Sequence, residues 1–178
     1  IEKQTENGLY PYSAVYLKDV KARSGQYWYN HFNTIGIIGM HEALLNFMGK
    51  GVETPEGNAF ALRVMNELRA LMQDFQKETG HQYNLEATPA EGTSYRLAKL
   101  DKERYLDIIT SGKEVSYYTN SSQLPVGYTD DIMEMIELQD ELQSLYTGGT
   151  VQHLYLGERI EDIRTAKRII QKIFAQYR

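Results

Sequence analysis

Residues 86–94 read Glu-Ala-Thr-Pro-Ala-Glu-Gly-Thr-Ser, a run dense in hydroxyls and carboxylates around one glycine. These residue types suit an anion or a sugar. The hydroxyls of Thr88, Thr93 and Ser94 can donate to an anionic oxygen, and Gly92 lets a ligand approach the main chain closely. The run also stands where an extended segment hands over to a helix. Free N–H groups at a helix start carry partial positive charge and hold a phosphate without help from Lys or Arg. Glu86 follows Asn84 by two residues on the extended segment, so both face one side. There they could bind ribose hydroxyls, and Glu86 is the candidate acid–base group. A plainer use of the same residues stands beside this one: Thr88 as N-cap, Pro89 at the first helical position and Glu91 in a capping arrangement. Pattern alone favours that plainer use, and a solvated strand end for Asn84 and Glu86.

Other chemistry is thinner. Thr-Asn-Ser-Ser-Gln (119–123) concentrates donors and acceptors after a strand, which makes Asn120 and Ser121 binding candidates, although such runs are more often turns. His31, His41, His81 and His153 show no metal-ligand spacing; His41-Glu42 begins a His-Glu-x-x-His pattern, but position 45 is Leu. The two glycines of Asn-Thr-Ile-Gly-Ile-Ile-Gly (33–39) are too weak a signal for a nucleotide fingerprint. No P-loop, no Ser-His-Asp order and no aromatic–basic ribbon is present. The chain has no cysteine, so it supplies no disulfide, thiolate metal ligand or thiyl group.

Periodicity supplies the elements that would position these residues. Residues 31–40 read as a strand, followed by a helix that Gly49 stops. Thr54 as N-cap and Pro55 at the first position open a helix over 55–79, with Ala61, Val64, Leu68, Leu71 and Phe75 as its buried stripe and Gly80 as its end. Residues 81–88 are extended, 89–101 turn into a helix, and 101–110 form a further short helix stopping near Gly112. A short strand and a polar loop follow over 114–129. Asp130 and Asp131 start a helix whose apolar positions are Ile132, Met135, Ile136, Leu142 and Leu145. Gly148 and Gly149 bend the chain into a strand. The last helix carries Ile160, Ile163, Lys167, Ile170, Phe174 and Tyr177 on its inner face. This alternation predicts an α/β fold with mostly parallel strands, whose ligands gather at the strand carboxyl ends: 34–39, 86–92, 118–122 and 153–158.

Composition bounds the function. A 178-residue chain that is 42% hydrophobic builds one ordinary domain, and the whole chain is read as a single unit. Its net charge of −5 argues against broad attraction to DNA, RNA or an anionic membrane. No apolar run spans a bilayer, no signal peptide is recognisable and the expected location is cytoplasmic. The chain opens on Ile1, with no initiating Met, and is expected to be processed or cut from something longer.

Five segments, in order, resemble one family: NGLYPYSAVYLKDV, NHFNTIGIIGMHEALLNFMG, NLEATPAEGTSYRLAKLDKERY, YYTNSSQLPVGYTDDI and GGTVQHLYLGE. Together they resemble the large catalytic subunit of anaerobic (class III) ribonucleoside-triphosphate reductases over nearly the whole chain. The resemblance implies a section of a ten-stranded α/β barrel. It implies an enzyme that reduces ribonucleoside triphosphates to deoxyribonucleotides with a glycyl radical, a thiyl radical and formate. It places Thr88, Pro89, Ala90, Glu91, Gly92, Thr93 and Ser94 on the phosphate side of the substrate, with Glu86 as a nearby polar or acid–base group. Asn120 and Ser121 complete the substrate-binding set, and no metal ligand is assigned. The family's zinc site, its ATP or dATP effector region and its glycyl-radical motif have no counterpart in these residues. The isolated chain is therefore expected to be inactive. Expected partners are a ribonucleoside triphosphate, the radical-SAM activating enzyme of the full protein and a second copy, since a partial barrel leaves strand edges open. Two other readings stand beside this one: a different glycyl-radical enzyme, and a non-catalytic nucleotide- or phosphate-binding module.

Overall fold

The computed structural model describes residues 1–153 and 159–176. The elements are α1 (Glu2–Glu6), α2 (Pro11–Tyr16), α3 (Lys18–Ser24), β1 (Phe32–Gly36), α4 (Met40–Met48), α5 (Pro55–Thr79), β2 (Gln82–Glu86), α6 (Gly92–Arg104), α7 (Ile132–Gln143) and α8 (Ile163–Gln176). The chain divides into two compact units, 1–35 with 70–84, and 36–69 with 85–178.

In the first unit an anchored carboxylate organises the short helices. Glu2 accepts hydrogen bonds from the main-chain N–H groups of Tyr27 (2.9 Å) and Trp28 (3.1 Å) and from Lys21 Nζ (3.1 Å). The Trp28 indole N–H donates to the hydroxyl of buried Thr5 at 2.8 Å, so the amphipathic ring keeps its one donor satisfied. At the other end of the unit, Phe75 packs on Tyr83 with ring centroids 5.8 Å apart.

In the second unit local sequence chemistry sets the helix ends. The Thr54 hydroxyl accepts from Gly57 N–H at 3.0 Å, so Thr54 caps α5 and Pro55 opens it, as the sequence predicts. Gly49, at φ 71°, closes α4 in the left-handed conformation that glycine adopts without cost, and Gly80 of the first unit, at φ 72°, closes α5 in the same way. Asp131 caps α7 through Met133 N–H at 2.8 Å. Met40, Leu44, Val52, Ala61, Met65, Leu85, Ala98, Ile136 and Leu142 are buried and form the core of this unit.

Five predictions about elements are corrected. The buried stripe of α5 runs Gly57–Ala61–Met65–Met72, while Leu71 and Phe75 are 48% and 40% exposed. The apolar residues of this helix cover more than one face, and packing chose the face that carries the small Gly57 and Ala61. The separate short helix expected over 101–110 does not form. α6 runs unbroken to Arg104, and Tyr105 then turns extended at φ −127°. Instead of the short strand expected within 114–129 there are two isolated bridges, Ser111 with Tyr117 and Ile38 with Asn120. Among the described residues the strands form one two-stranded sheet, β1 with β2, rather than a larger parallel one. The predicted inner face of α8 is exposed instead, at 85% for Ile163, 53% for Ile170 and 76% for Phe174. The predicted strand after Gly149 and the segment 153–158 lie largely outside the described residues, as does Tyr177.

Candidate functional site

The run 86–94 does not form the cap its composition suggests. α6 begins at Gly92, with Glu91 rather than Thr88 at the N-cap position, and no side chain caps the helix. The plain capping arrangement of Thr88, Pro89 and Glu91 is therefore absent. The first turn closes through its own main chain, Thr93 N–H to Ala90 O at 2.9 Å and Ser94 N–H to Glu91 O at 3.2 Å. The Ser94 hydroxyl also donates to Glu91 O, at 3.1 Å. Glu91, Gly92 and Thr93 are exposed, and Ala90 and Ser94 are buried beneath them.

Thr88 is placed by a close approach. A Cβ on Gly36, the last residue of β1, would overlap the Thr88 hydroxyl and lie 2.9 Å from Thr88 Cβ. Glycine at position 36 is therefore the condition for this course of the chain. Glu86 is half-buried on β2, and its neighbours are pinned by the Gly148-Gly149 bend. Gly148 N–H donates to Leu85 O at 2.7 Å, and Ala87 N–H donates to Gly149 O at 3.1 Å.

The structure brings the two predicted segments together. Ala90 N–H donates to Asn120 Oδ1 at 3.1 Å, and Tyr118 N–H to Ser94 O at 3.4 Å. Ser121 follows at φ 46°, is 1% exposed, and its hydroxyl is buried without a hydrogen bond of good geometry. Glu91 has φ 45°, so both non-glycine residues at positive φ among the described residues belong to the predicted set. Such conformations cost of order 1–3 kcal/mol each and concentrate at functional sites.

Three further features escaped sequence reasoning. The start of α4 is joined to the 119–121 loop: Gly39 N–H donates to Thr119 O at 2.8 Å and Met40 N–H to Ser121 O at 3.1 Å. Gly39 adopts φ 76°, with the Tyr118 side chain 3.2–3.4 Å from where its Cβ would be. Buried Glu42 then accepts from Thr119 N–H at 3.0 Å and from Thr119 Oγ1 at 2.6 Å, and from Ser111 Oγ. The sequence signals for Glu42, the start of a broken His-Glu-x-x-His pattern and a place in the first turn of α4, do not point to this role. Third, the Tyr118 phenol donates to Asp101 Oδ2 at 2.7 Å; burial, and then the Asp101 carboxylate, push its pKa well up. Burial also raises the Tyr146 phenol, which donates to Ser122 Oγ at 2.9 Å.

The electrostatics beside the seat are mixed but favour an anion locally. A cleft of about 650 Å³ runs along α6 from Gly92, lined by Tyr95, Arg96, Lys99, Lys102 and Val115, with Glu103 and Glu114 also on its wall. A phosphate at the Gly92 end would meet main-chain N–H groups and hydroxyls, with those cations along the same helix. The site offers no fit for a thiolate-bound zinc or a thiyl group, because the chain has no cysteine. Among the described residues no cluster of three or more His, Asp or Glu side chains is placed to hold a metal. No helix among them is long and apolar enough to cross a membrane.

Comparisons with known proteins bear on the family and the fold. A family model described as anaerobic ribonucleoside-triphosphate reductase matches residues 1–178. The anaerobic ribonucleoside-triphosphate reductase of Enterobacteria phage T4 is 26% identical over 131 residues, 74% of this chain and 20% of its own. That of Escherichia coli K12 is 27% identical over 120 residues, 66% of this chain and 17% of its own. The chain thus spans about a fifth of the length of the curated relatives it matches. A solved anaerobic ribonucleotide reductase superposes with a TM-score of 0.75 at 22% identity, over 99% of this chain and 26% of that one. The Thermotoga maritima enzyme in complex with dATP and CTP does so at 0.71 and 21%, over 99% of this chain and 28% of that one. These superpositions show a shared fold, and the family match over every residue shows more: the chain belongs to the anaerobic ribonucleoside-triphosphate reductase family.

Proposed function

We propose that this chain forms part of the substrate-binding wall of an enzyme that reduces ribonucleoside triphosphates to deoxyribonucleotides. Its residues bind and orient. Within Thr88–Ser94 the main-chain N–H groups of Glu91 and Gly92 and the hydroxyls of Thr88 and Thr93, which the turn's own hydrogen bonds leave open, receive the phosphates. Asn120 and Ser121 complete the seat, and Glu86 stands nearby as a polar or acid–base group. The observation that carries this reading is the hydrogen bond from Ala90 N–H to Asn120 Oδ1, which joins the two segments predicted to bind substrate. In this reading the chain is a section of a ten-stranded α/β barrel, an architecture supported by its superposition on solved members of the family.

The radical step of such an enzyme needs a cysteine, and this chain has none, so the chain alone is expected to be inactive. The glycyl radical, formate, zinc, ATP or dATP effectors, activating enzyme and homo-oligomer belong, in this proposal, to the whole cytoplasmic enzyme. A structure of one relative was solved with dATP and CTP, which makes CTP a reasonable probe. The test compares CTP with cytidine by calorimetry on the full-length protein that carries this chain. Binding of CTP at least about tenfold tighter than cytidine, with that preference lost in Asn120→Asp, is expected from a phosphate seat built on a few charge-assisted bonds. Equal affinities for the two ligands would reject the seat.

A further inference from the structure

A fully buried carboxylate lies beside the seat, and nothing in the proposed binding uses it. Glu42 is 0% exposed. No Lys, Arg or His among the described residues forms an ion pair with it; Thr119 and Ser111 supply its hydrogen bonds instead. A buried charge without a cation is tolerated only when hydrogen bonds replace its lost hydration. Here those bonds converge on one short segment. Thr119 is held on both sides of its main chain, its N–H on Glu42 and its carbonyl by Gly39 N–H. The next residue, Asn120, holds Ala90 at the head of α6. A chain of direct contacts therefore runs from Glu42 through Thr119 and Asn120 to Ala90.

We propose that Glu42 is a positioning residue for the substrate seat. Its carboxylate fixes Thr119, and so aims Asn120 at Ala90 and sets the register between the 119–121 loop and the first turn of α6. It touches no ligand. Two acceptor oxygens are essential to this role. Glutamine has the same shape, but it presents one acceptor, and its amide would face donors. The proposal rests on the seat described above for its consequence in catalysis, while the contact chain itself can be tested without any ligand.

The experiment uses the full-length protein with Glu42→Gln, Glu42→Asp and Thr119→Val, read by amide hydrogen exchange and by steady-state kinetics with CTP. In Glu42→Gln the Ala90 amide is expected to exchange about tenfold faster, the loss of roughly one charge-assisted bond, while α7 amides keep their rates. KM for CTP should rise by a similar factor with kcat within about twofold, because the radical chemistry is untouched. A merely structural loss would instead remove active molecules and lower kcat at constant KM. Glu42→Asp, which keeps the carboxylate, should recover part of the KM. Should Glu42→Gln fail to fold, Thr119→Val removes one donor and should move both readouts the same way by less. Unchanged Ala90 exchange in the folded variant, or a fall in kcat at constant KM, overturns the proposal. If the wild-type protein bound no ribonucleotide, the seat would fall, and Ala90 exchange would still decide whether Glu42 positions the loop.

Discussion

The main-chain N–H of Ala90 donates to Asn120 Oδ1 at 3.1 Å, across 30 residues of sequence. Ala90 precedes a helix whose first two residues, Gly92 and Thr93, are exposed, and Asn120 lies in a loop joined to α4 by hydrogen bonds from Gly39 and Met40. One side-chain oxygen therefore couples the start of α6 to the start of α4.

Asn120→Ala removes that acceptor and should cost about 1 kcal/mol of stability, the usual net worth of such a bond. Asn120→Asp keeps the acceptor, so the fold should hold, but it adds a negative charge beside the proposed phosphates. Urea unfolding together with CTP affinity separates the two: Ala lowers stability, and Asp lowers affinity more than stability.

Gly36→Ala should destabilise by about 1–3 kcal/mol, because a Cβ there overlaps the Thr88 hydroxyl and no flexible side-chain end can yield. Removing that hydroxyl with Thr88→Ala should recover only part of the loss, since Thr88 Cβ itself would lie 2.9 Å away. A double-mutant cycle followed by urea unfolding measures the coupling.

The phase of α5 is open to a direct check. Met65 is fully buried, and Met65→Ala should cost about 2–5 kcal/mol. Leu71→Ala, at a position 48% exposed, should cost much less, near the ±0.5 kcal/mol of surface changes. Similar losses at both sites in thermal unfolding would return the stripe to the face expected from spacing alone.

Tyr118 predicts a response to alkali. Its folded pKa lies above the ordinary 10.0, through burial and then the Asp101 carboxylate. The neutral phenol thus contributes stability that is complete below that ordinary value. As pH rises past 10 the unfolded chain ionises first, so the contribution falls, and it is gone above the folded pKa. The melting temperature should decline above pH 10, and Tyr118→Phe should flatten part of that decline. Tyr146, shifted in the same direction, accounts for a further part.

What was legible in the sequence was local. Thr54 and Pro55, Gly49, Gly80 and Asp131 mark helix ends through contacts within a few residues, and each does so in the structure. The candidate residues around 88–94 and 120–121 were also legible as unusual concentrations of polar groups. Their pairing was not, because a periodic pattern says nothing about a contact 30 residues away. Glu42 was hidden for the same reason, since its donors lie 69 and 77 residues further on. The α5 stripe failed where apolar residues lined more than one face and only packing could choose. The N-cap use of Thr88 fits its residue type but not the structure, where Glu91 takes the cap position and Thr88 lies against Gly36.

A phosphate seat in the first turn of α6 is visible in amide chemical shifts. On titrating CTP into the full-length protein, the main-chain amides of Ala90, Gly92, Thr93 and Ser94 and the side-chain amide of Asn120 should shift together and saturate, while cytidine leaves them in place. Saturable CTP binding that leaves these five signals unmoved would place the phosphates elsewhere and rule the seat out.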